Sequence, residues 1–437
     1  MKDKISKFFS VLKKDGLKVT IHKTYKYFMA NYFNKINFVK KIDYKINYKK
    51  YEEYIDNVLN SNNYDRIFIW RGSFGWNVPL FQRPQHIARK LSSKNTLIFY
   101  EVTRMTDKVK YIKKEKDNLY LVNYEIKAFE NMLIDKISKI DKPKYLQIYS
   151  TCWDVTSNTL DKYINNNYKV LYEYIDDLNP KLAGTKELPE NVKYIHEWIC
   201  NHVNDSLVVV SADRLYDDIV KKRNSKKNII FASNGVDYDF FKDCNKDINI
   251  NKELLDIKSK YKKVVGYYGA LASWFDYDLL KYVANYYKDY AFVLFGIKYD
   301  TSYDESNIDS IDNIYFLGSI DYKNLPYNAN KFDICIIPFV INEITLATNP
   351  LKVFEYMAMH KPIITTDMPE CRKYKSVNIA KDKDEFINII NNIDNINDNK
   401  YQELLDAEAK ENSWDEKANE IIKGLRNFEG VNKKWLK

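Results

Sequence analysis

Two tandem, doubly wound α/β domains of Rossmann-like type are what this chain predicts. Three observations carry that: two successive series of short apolar runs, helical stretches between the runs, and glycine or capping signals where the runs end. The first series starts near residue 64. RIFIW (66–70) reads as a strand, RGSFGWNVP (71–79) as a loop, FQRPQHIARKL (81–91) as a helix and TLIFYE (96–101) as the next strand. YLQIY (145–149), VLYEYID (170–176), SLVVVS (206–211) and NIIFAS (228–233) continue it. The alternation restarts after about residue 245 with VVGYYG (264–269), a helix over FDYDLLKYVANYY (275–287), then AFVLFG (291–296), IYFLG (314–318), FDICIIPF (332–339) and PIITT (362–366). Several of these runs are continuous rather than alternating, as parallel strands covered on both faces require. SNGVDYDFF (233–241) marks the join, and SWDEKANEIIKGL (413–425) closes the chain as a helix capped by Ser413. The Asn/Asp-rich stretch 390–400 reads as a surface loop. The expected division is a basic helical extension (1–55), a first domain (56–240), a second domain (241–412) and a closing helix (413–437).

At 437 residues the chain is long enough for two full cores. The net charge of +9 is uneven: residues 1–50 hold 14 Lys against 3 Asp, a balance of +11 that leaves residues 51–437 at −2. That balance gives no nucleic-acid footprint in the body of the chain. Within the leader, Ile5, Phe8, Phe9 and Leu12 form an apolar stripe flanked by Lys4, Lys7, Lys13 and Lys14, with Gly16 as a stop. Such a helix suits an anionic membrane surface and equally suits packing on the body. Five scattered cysteines without a CxxC pair read as reduced thiols of a cytoplasmic protein, and the five histidines lack metal-ligand spacing. No apolar run reaches membrane-span length.

The most informative stretch is NPLKVFEYMAMHKPIITT (349–366), a helix preceded and followed by short apolar strands. Asn349 is expected as N-cap and Pro350 as the first helical residue, which sets Lys352 beside free backbone N–H groups that attract phosphate. Glu355, three residues on, shares that face and could accept from ribose hydroxyls; on spacing alone the two also fit a solvated ion pair. In the loop YYGALASWFD (267–276), Gly269 and Ala270 leave room for a phosphate, while Ser273 is a candidate cap. GSFGW (72–76) lacks the dinucleotide and P-loop spacings; Gly75 permits a turn, and Trp76 offers a platform for an acceptor. DYD at 237–239 and 276–278 fits helix capping better than metal binding. Asp176 and Asp177 end a strand where a base for an acceptor hydroxyl belongs, or serve as ordinary turn residues.

FQRPQHIA (81–88), VLYEYIDDL (170–178), SLVVVSADRLYDDI (206–219), SNGVD, GYYGALASWFD (266–276), PYNANKFDICIIPF (326–339) and NPLKVFEYMA (349–358) together resemble GT-B glycosyltransferases. The resemblance is to family 4-like bacterial cell-envelope enzymes, teichuronic acid and xanthan-type relatives among them, over roughly residues 64–425. It implies two Rossmann-like domains facing a cleft, a nucleotide-sugar donor on the second and an acceptor on the first. Carried over, Lys352 contacts the diphosphate, Glu355 the ribose, and Gly269 and Ala270 line the phosphate, while Asp177 or Asp176 approaches the acceptor hydroxyl. No cofactor or bound metal is expected. Many retaining members carry a glutamate eight positions before the second; here that position is Ala347, and Glu343, twelve before Glu355, is the nearest upstream acid and takes the sugar-contacting role as an expectation. The expected activity is sugar transfer from a nucleotide donor, UDP-linked, to a surface-glycan or lipid-linked acceptor, in the cytoplasm or on the inner face of the membrane. The rivals are a nucleotide-sugar epimerase of the same fold and a catalytically silent carbohydrate- or membrane-binding protein.

Overall fold

The computed structural model describes residues 42, 44–61, 63–72, 74–78, 81–102, 107–152, 154–178, 180 and 187–430. The leader helix expected over residues 5–16 lies outside them. The chain divides into two compact units. The smaller takes in the described part of 1–62 together with 123–141. In it a helix over 44–60 and a helix Lys127–Ser138 meet through Tyr44 edge-on to Phe129 (6.0 Å) and Lys136 on Asp56 (2.6 Å). The expected boundary at 55 therefore falls inside a helix.

The larger unit (63–122 and 142–437) holds two sheets. The first runs β3-β4-β2-β1-β5-β6-β7-β8, with β1 Arg66–Trp70, β2 Thr96–Glu101, β3 Ile112–Lys116, β4 Leu119–Val122, β5 Lys144–Tyr149, β6 Lys169–Tyr174, β7 Ser206–Val210 and β8 Ile229–Phe231. The second runs β11-β10-β9-β12-β13-β14, with β9 Lys263–Tyr268, β10 Tyr290–Phe295, β11 Ile314–Phe316, β12 Ile334–Ile337, β13 Ile363–Thr366 and β14 Val377–Ala380. Every pairing is parallel except β3 with β4. The helices used below are α1 (Arg83–Ser92), α2 (Asp213–Arg223), α3 (Tyr277–Tyr286), α4 (Leu351–Ala358), α5 (Lys383–Ile396), α6 (Asn399–Glu411) and α7 (Trp414–Phe428).

Central strands such as RIFIW and ICII are buried at every residue, which is why they read as unbroken apolar runs. The strand order reverses at β1/β5 in one sheet and at β9/β12 in the other. A crevice opens at such a reversal beyond the carboxyl ends of the strands, and that is where this architecture binds ligands. The loops after β1, β6, β9 and β12 all end there.

Three elements depart from expectation. β3, IKKEK, is a charged, half-exposed edge strand paired antiparallel to the four-residue β4, and neither stood out as an apolar run. The short edge strand β14, VNIA, was also unforeseen. The stretch 390–400 is not a loop: α5 continues to Ile396, burying Phe386, Ile387, Ile390 and Ile393, and α6 begins at Asn399. α7 starts where foreseen, with Ser413 accepting from the Glu416 N–H, and returns to the first sheet, where Trp414 stacks on His86 (5.1 Å) and Glu429 pairs with Arg66 (2.9 Å).

Candidate active site

A cavity of about 310 Å³ opens at the two reversal points. One wall is Phe74, Gln82, Arg83, Pro84, Ile175 and Asp176, from the loop after β1, the start of α1 and the end of β6; Asn234 follows β8 at the domain join. The facing wall is Ala270 and Trp274 after β9, then Phe339, Ile344, Thr345 and the run from Thr348 to Lys352 after β12.

α4 begins in that second wall. Pro350, not Asn349, occupies the N-cap position, and no side chain caps the helix. Asn349 is committed elsewhere. Its Oδ1 accepts from the Asn234 N–H (3.0 Å) and its Nδ2 donates to Glu370 (3.1 Å), so its side chain holds the helix start in place instead of capping it. The orphan N–H groups of the first turn are thereby left for an anion.

Lys352 lies in this first turn, half-buried, its ammonium 5.4 Å from the Tyr267 ring centre and 5.6 Å from that of Phe339. Withdrawal from water lowers its pKa, and Glu355 partly restores it. Gly269 makes the room: a Cβ there would sit 2.2 Å from Lys352 Cε, and its φ of +145° is a conformation only glycine adopts readily. Gly269→Ala is expected to cost about 1–3 kcal/mol in backbone strain and to expel the lysine, so UDP affinity by calorimetry falls together with the melting midpoint. Ala270 lines the cavity without charge, and its carbonyl accepts from the Tyr267 hydroxyl (2.9 Å).

Glu355, one turn deeper, is outside the cavity lining. Its carboxylate accepts from the Tyr268 hydroxyl (2.8 Å). Desolvation raises its pKa to about 7, opposed by that hydrogen bond and by Lys352. A raised acid pKa favours the folded state while the group is protonated, so this stability is fully present below about pH 4.5 and is lost as pH rises through about 7. Glu355→Gln should therefore leave the melting midpoint unchanged near pH 4.5 and raise it by roughly 1–3 °C at pH 8.

Of the aspartate pair, Asp176 lines the cavity and Asp177 does not; Asp177 lies 3.8 Å from Arg214. Surrounding protein raises the Asp176 pKa, with Arg83 opposing and Asp177 adding to the rise. Asp176 is the one carboxylate of the cavity wall among the described residues.

Other expectations need correcting. Trp76 is 4% exposed, wedged between Phe81 and Tyr100, and its N–H donates to Asp107 (3.0 Å), so it offers no acceptor platform. Phe74, two residues earlier, takes that wall. Gly75 does turn the loop at φ +69°, but its carbonyl faces inward to Gln85 and Tyr100. Glu343 is exposed and outside the lining, whereas Ile344, Thr345 and Thr348 are within it. Ser273 caps nothing; of the two DYD copies, Asp276 caps α3 through the Leu279 N–H, whereas Asp237 occupies the N-cap position of the short helix Tyr238–Lys242 without a side-chain cap hydrogen bond.

Arg83 was missed. It is 2% exposed, pairs with the fully buried Glu173 (2.8 Å) and donates to the Ser233 carbonyl (2.8 Å). An arginine in the FQRP segment signals little by itself, because its partner lies ninety residues away. Among the described residues no three or more His, Cys, Asp or Glu side chains are grouped to hold a metal, and no helix is long and apolar enough to cross a membrane.

Residues 262–394 match the family described as Glycosyl transferases group 1. The putative teichuronic acid biosynthesis glycosyltransferase TuaH of Bacillus subtilis is 24% identical over 239 residues, 52% of this chain and 57% of that protein. Two solved structures share the fold. A glycosyltransferase from Rickettsia africae gives a TM-score of 0.60 at 14% identity, over 85% of this chain and 100% of that one. Anabaena Alr3699/HepE, crystallised with UDP and glucose, gives 0.59 at 13% identity, over 83% and 100%.

Proposed function

We propose that this chain, whose residues 262–394 match the group 1 glycosyl transferases within a GT-B fold of two Rossmann-like halves, transfers a sugar from a UDP-linked donor to a saccharide acceptor. The observation that carries this reading is the uncapped start of α4, with the Lys352 ammonium beside Gly269, in the wall of a cavity that both domains line.

The diphosphate sits at the N–H groups of Leu351 and Lys352, and the sugar extends toward the first domain. The acceptor hydroxyl, hydrogen-bonded to Asp176, attacks the anomeric carbon. The bond from that carbon to the phosphate oxygen breaks, and its electron pair leaves on the diphosphate, where the α4 start and Lys352 neutralise it. The hydroxyl proton passes to the Asp176 carboxylate. The transfer is proposed as metal-independent, with the α4 start and Lys352 offsetting part of the leaving-group charge. Glu355, one turn deeper and outside the cavity lining, is proposed to reach the ribose with the carboxylate oxygen that Tyr268 does not occupy.

The acceptor is proposed as a growing surface glycan or a lipid-linked saccharide, which the likeness to TuaH supports. Incubation with UDP-sugars and membrane-extracted glycan should release UDP and label the glycan. Conversion of the donor without acceptor would instead indicate an epimerase, and absence of UDP binding a silent binding protein. The 14 lysines of residues 1–50 favour attachment to the inner membrane face. The full chain should then sediment with anionic vesicles and release at about 0.5 M salt, where the Debye length falls to a few ångströms; salt-insensitive or absent sedimentation argues against it.

A further inference from the structure

We infer that the start of α4 is positioned by the first domain, through a hydrogen-bond relay Glu173–Arg83–Ser233/Asn234–Asn349–Glu370, so that donor affinity depends on Asn234 and Glu370 acting through Asn349. The inference rests on the phosphate reading of α4 given above and adds a coupling between the two halves.

The relay is continuous. Glu173 on β6 accepts from Arg83 Nε (2.8 Å), and Arg83 Nη1 donates to the Ser233 carbonyl (2.8 Å) and approaches Asn234 Oδ1 (3.4 Å). Asn234 then grips Asn349 twice: its N–H donates to Asn349 Oδ1 (3.0 Å) and its Nδ2 to the Asn349 carbonyl (2.8 Å). Asn349 Nδ2 donates to Glu370 Oε2 (3.1 Å), and Glu370 Oε1 accepts from the Asp213 N–H at the start of α2, back in the first domain (2.8 Å). Lys373 joins the two ends, 2.8 Å from Glu370 and 2.9 Å from Asp213.

This arrangement is more than filler at a domain join. Arg83, Glu173, Asn349 and Glu370 are 2%, 0%, 4% and 1% exposed, so each polar group was taken out of water to make these bonds. Burial of that kind costs more than it returns unless geometry is held tightly. The Asn349 amide is oriented at both ends, its oxygen on a backbone N–H and its nitrogen on a carboxylate, so it cannot flip without losing two bonds. One residue later Pro350 fixes the chain at φ −74°, and the N–H groups of Leu351 and Lys352 follow. A shift of the first domain therefore moves the phosphate donors. By reciprocity, a diphosphate that settles on them tightens the relay toward Arg83, which lies beside Asp176 in the opposite wall. Donor arrival in one half thus readies the acceptor side in the other.

UDP titration by calorimetry on full-length variants tests this. Asn234→Ala and Glu370→Gln should each weaken UDP by roughly threefold to tenfold, the range of one or two hydrogen bonds. Asn234→Asp, which sets a carboxylate oxygen against the Asn349 carbonyl, should weaken it more than Asn234→Ala does, although the two remove the same donor. The Asn234→Ala/Glu370→Gln pair should lose less than the two single losses combined, because both act through the one Asn349 amide, which the Asn234 N–H still holds in Asn234→Ala. A merely structural role would instead lower the melting midpoint and the bound stoichiometry while leaving Kd alone. Variants that bind UDP within about twofold of wild type, or losses that add, overturn the relay; should Asn234→Asp not fold, Asn234→Ser and Glu370→Gln give the same comparison. Failure of the wild type to bind UDP overturns the phosphate reading and the relay together, whereas tight wild-type binding with unmoved variants overturns the relay alone.

Discussion

Replacing Lys352 with alanine is expected to lower turnover of the sugar donor by about 10²–10³-fold, the loss typical of removing one preorganised group that meets developing charge. The ammonium has no acidic partner within salt-bridge distance among the described residues, and its surroundings are Tyr267, Phe339 and the space left by Gly269. A cation held so against aromatic faces, with its pKa lowered by desolvation, is stabilised most by an anion arriving in the cavity. Arginine should not restore activity, since the wider guanidinium would press on the Gly269 backbone where a single added carbon already collides. Steady-state kinetics with protein of unchanged melting midpoint checks this; turnover within threefold of wild type would remove Lys352 from the leaving-group role.

Asp176→Asn carries the second large effect. It keeps the shape of the cavity wall and removes the carboxylate proposed to meet the acceptor hydroxyl, so transfer should fall by about 10²–10⁴-fold while UDP affinity stays near that of wild type. Asp177→Asn is the internal control. Asp177 lies near Arg214 and outside the lining, so its loss should change transfer by less than about threefold, a surface ion pair contributing little. Equal losses from both variants would mean that the sequence order of the pair, and not the side facing the cavity, decides the role.

The architecture was legible because buried parallel strands leave unbroken apolar runs, and RIFIW, SLVVV and ICII are such runs. Edge strands leave none. IKKEK is kept soluble by lysines, so its membership of the sheet depends on β4 and not on its own pattern. Over 390–400 the many asparagines and aspartates suggested a loop, yet Phe386, Ile387, Ile390 and Ile393 recur at helical spacing through 383–396, and burial of that face outweighs the weak helix propensity of asparagine. At the site, the order of motifs brought Gly269 and Lys352 to one place, since both follow strands flanking the same reversal point. Side-chain direction in loops was not legible. Whether Phe74 or Trp76 faces the cavity is decided by Asp107, thirty-one residues beyond Trp76, which accepts from the Trp76 N–H. Asn349 looked like a cap by residue type, but Asn234 and Glu370 claim its amide from 115 and 21 residues away.

The claim beneath all of this is that the first turn of α4 and Lys352 hold a diphosphate. Calorimetric titration of UDP against uridine, on wild type and Lys352→Ala, isolates that contribution. The wild type should bind UDP at least about a hundredfold more tightly than uridine, roughly 2.7 kcal/mol from the diphosphate, and Lys352→Ala should erase most of the difference without changing uridine affinity. Equal affinity of the wild type for UDP and uridine, or a difference that survives intact in Lys352→Ala, would contradict it.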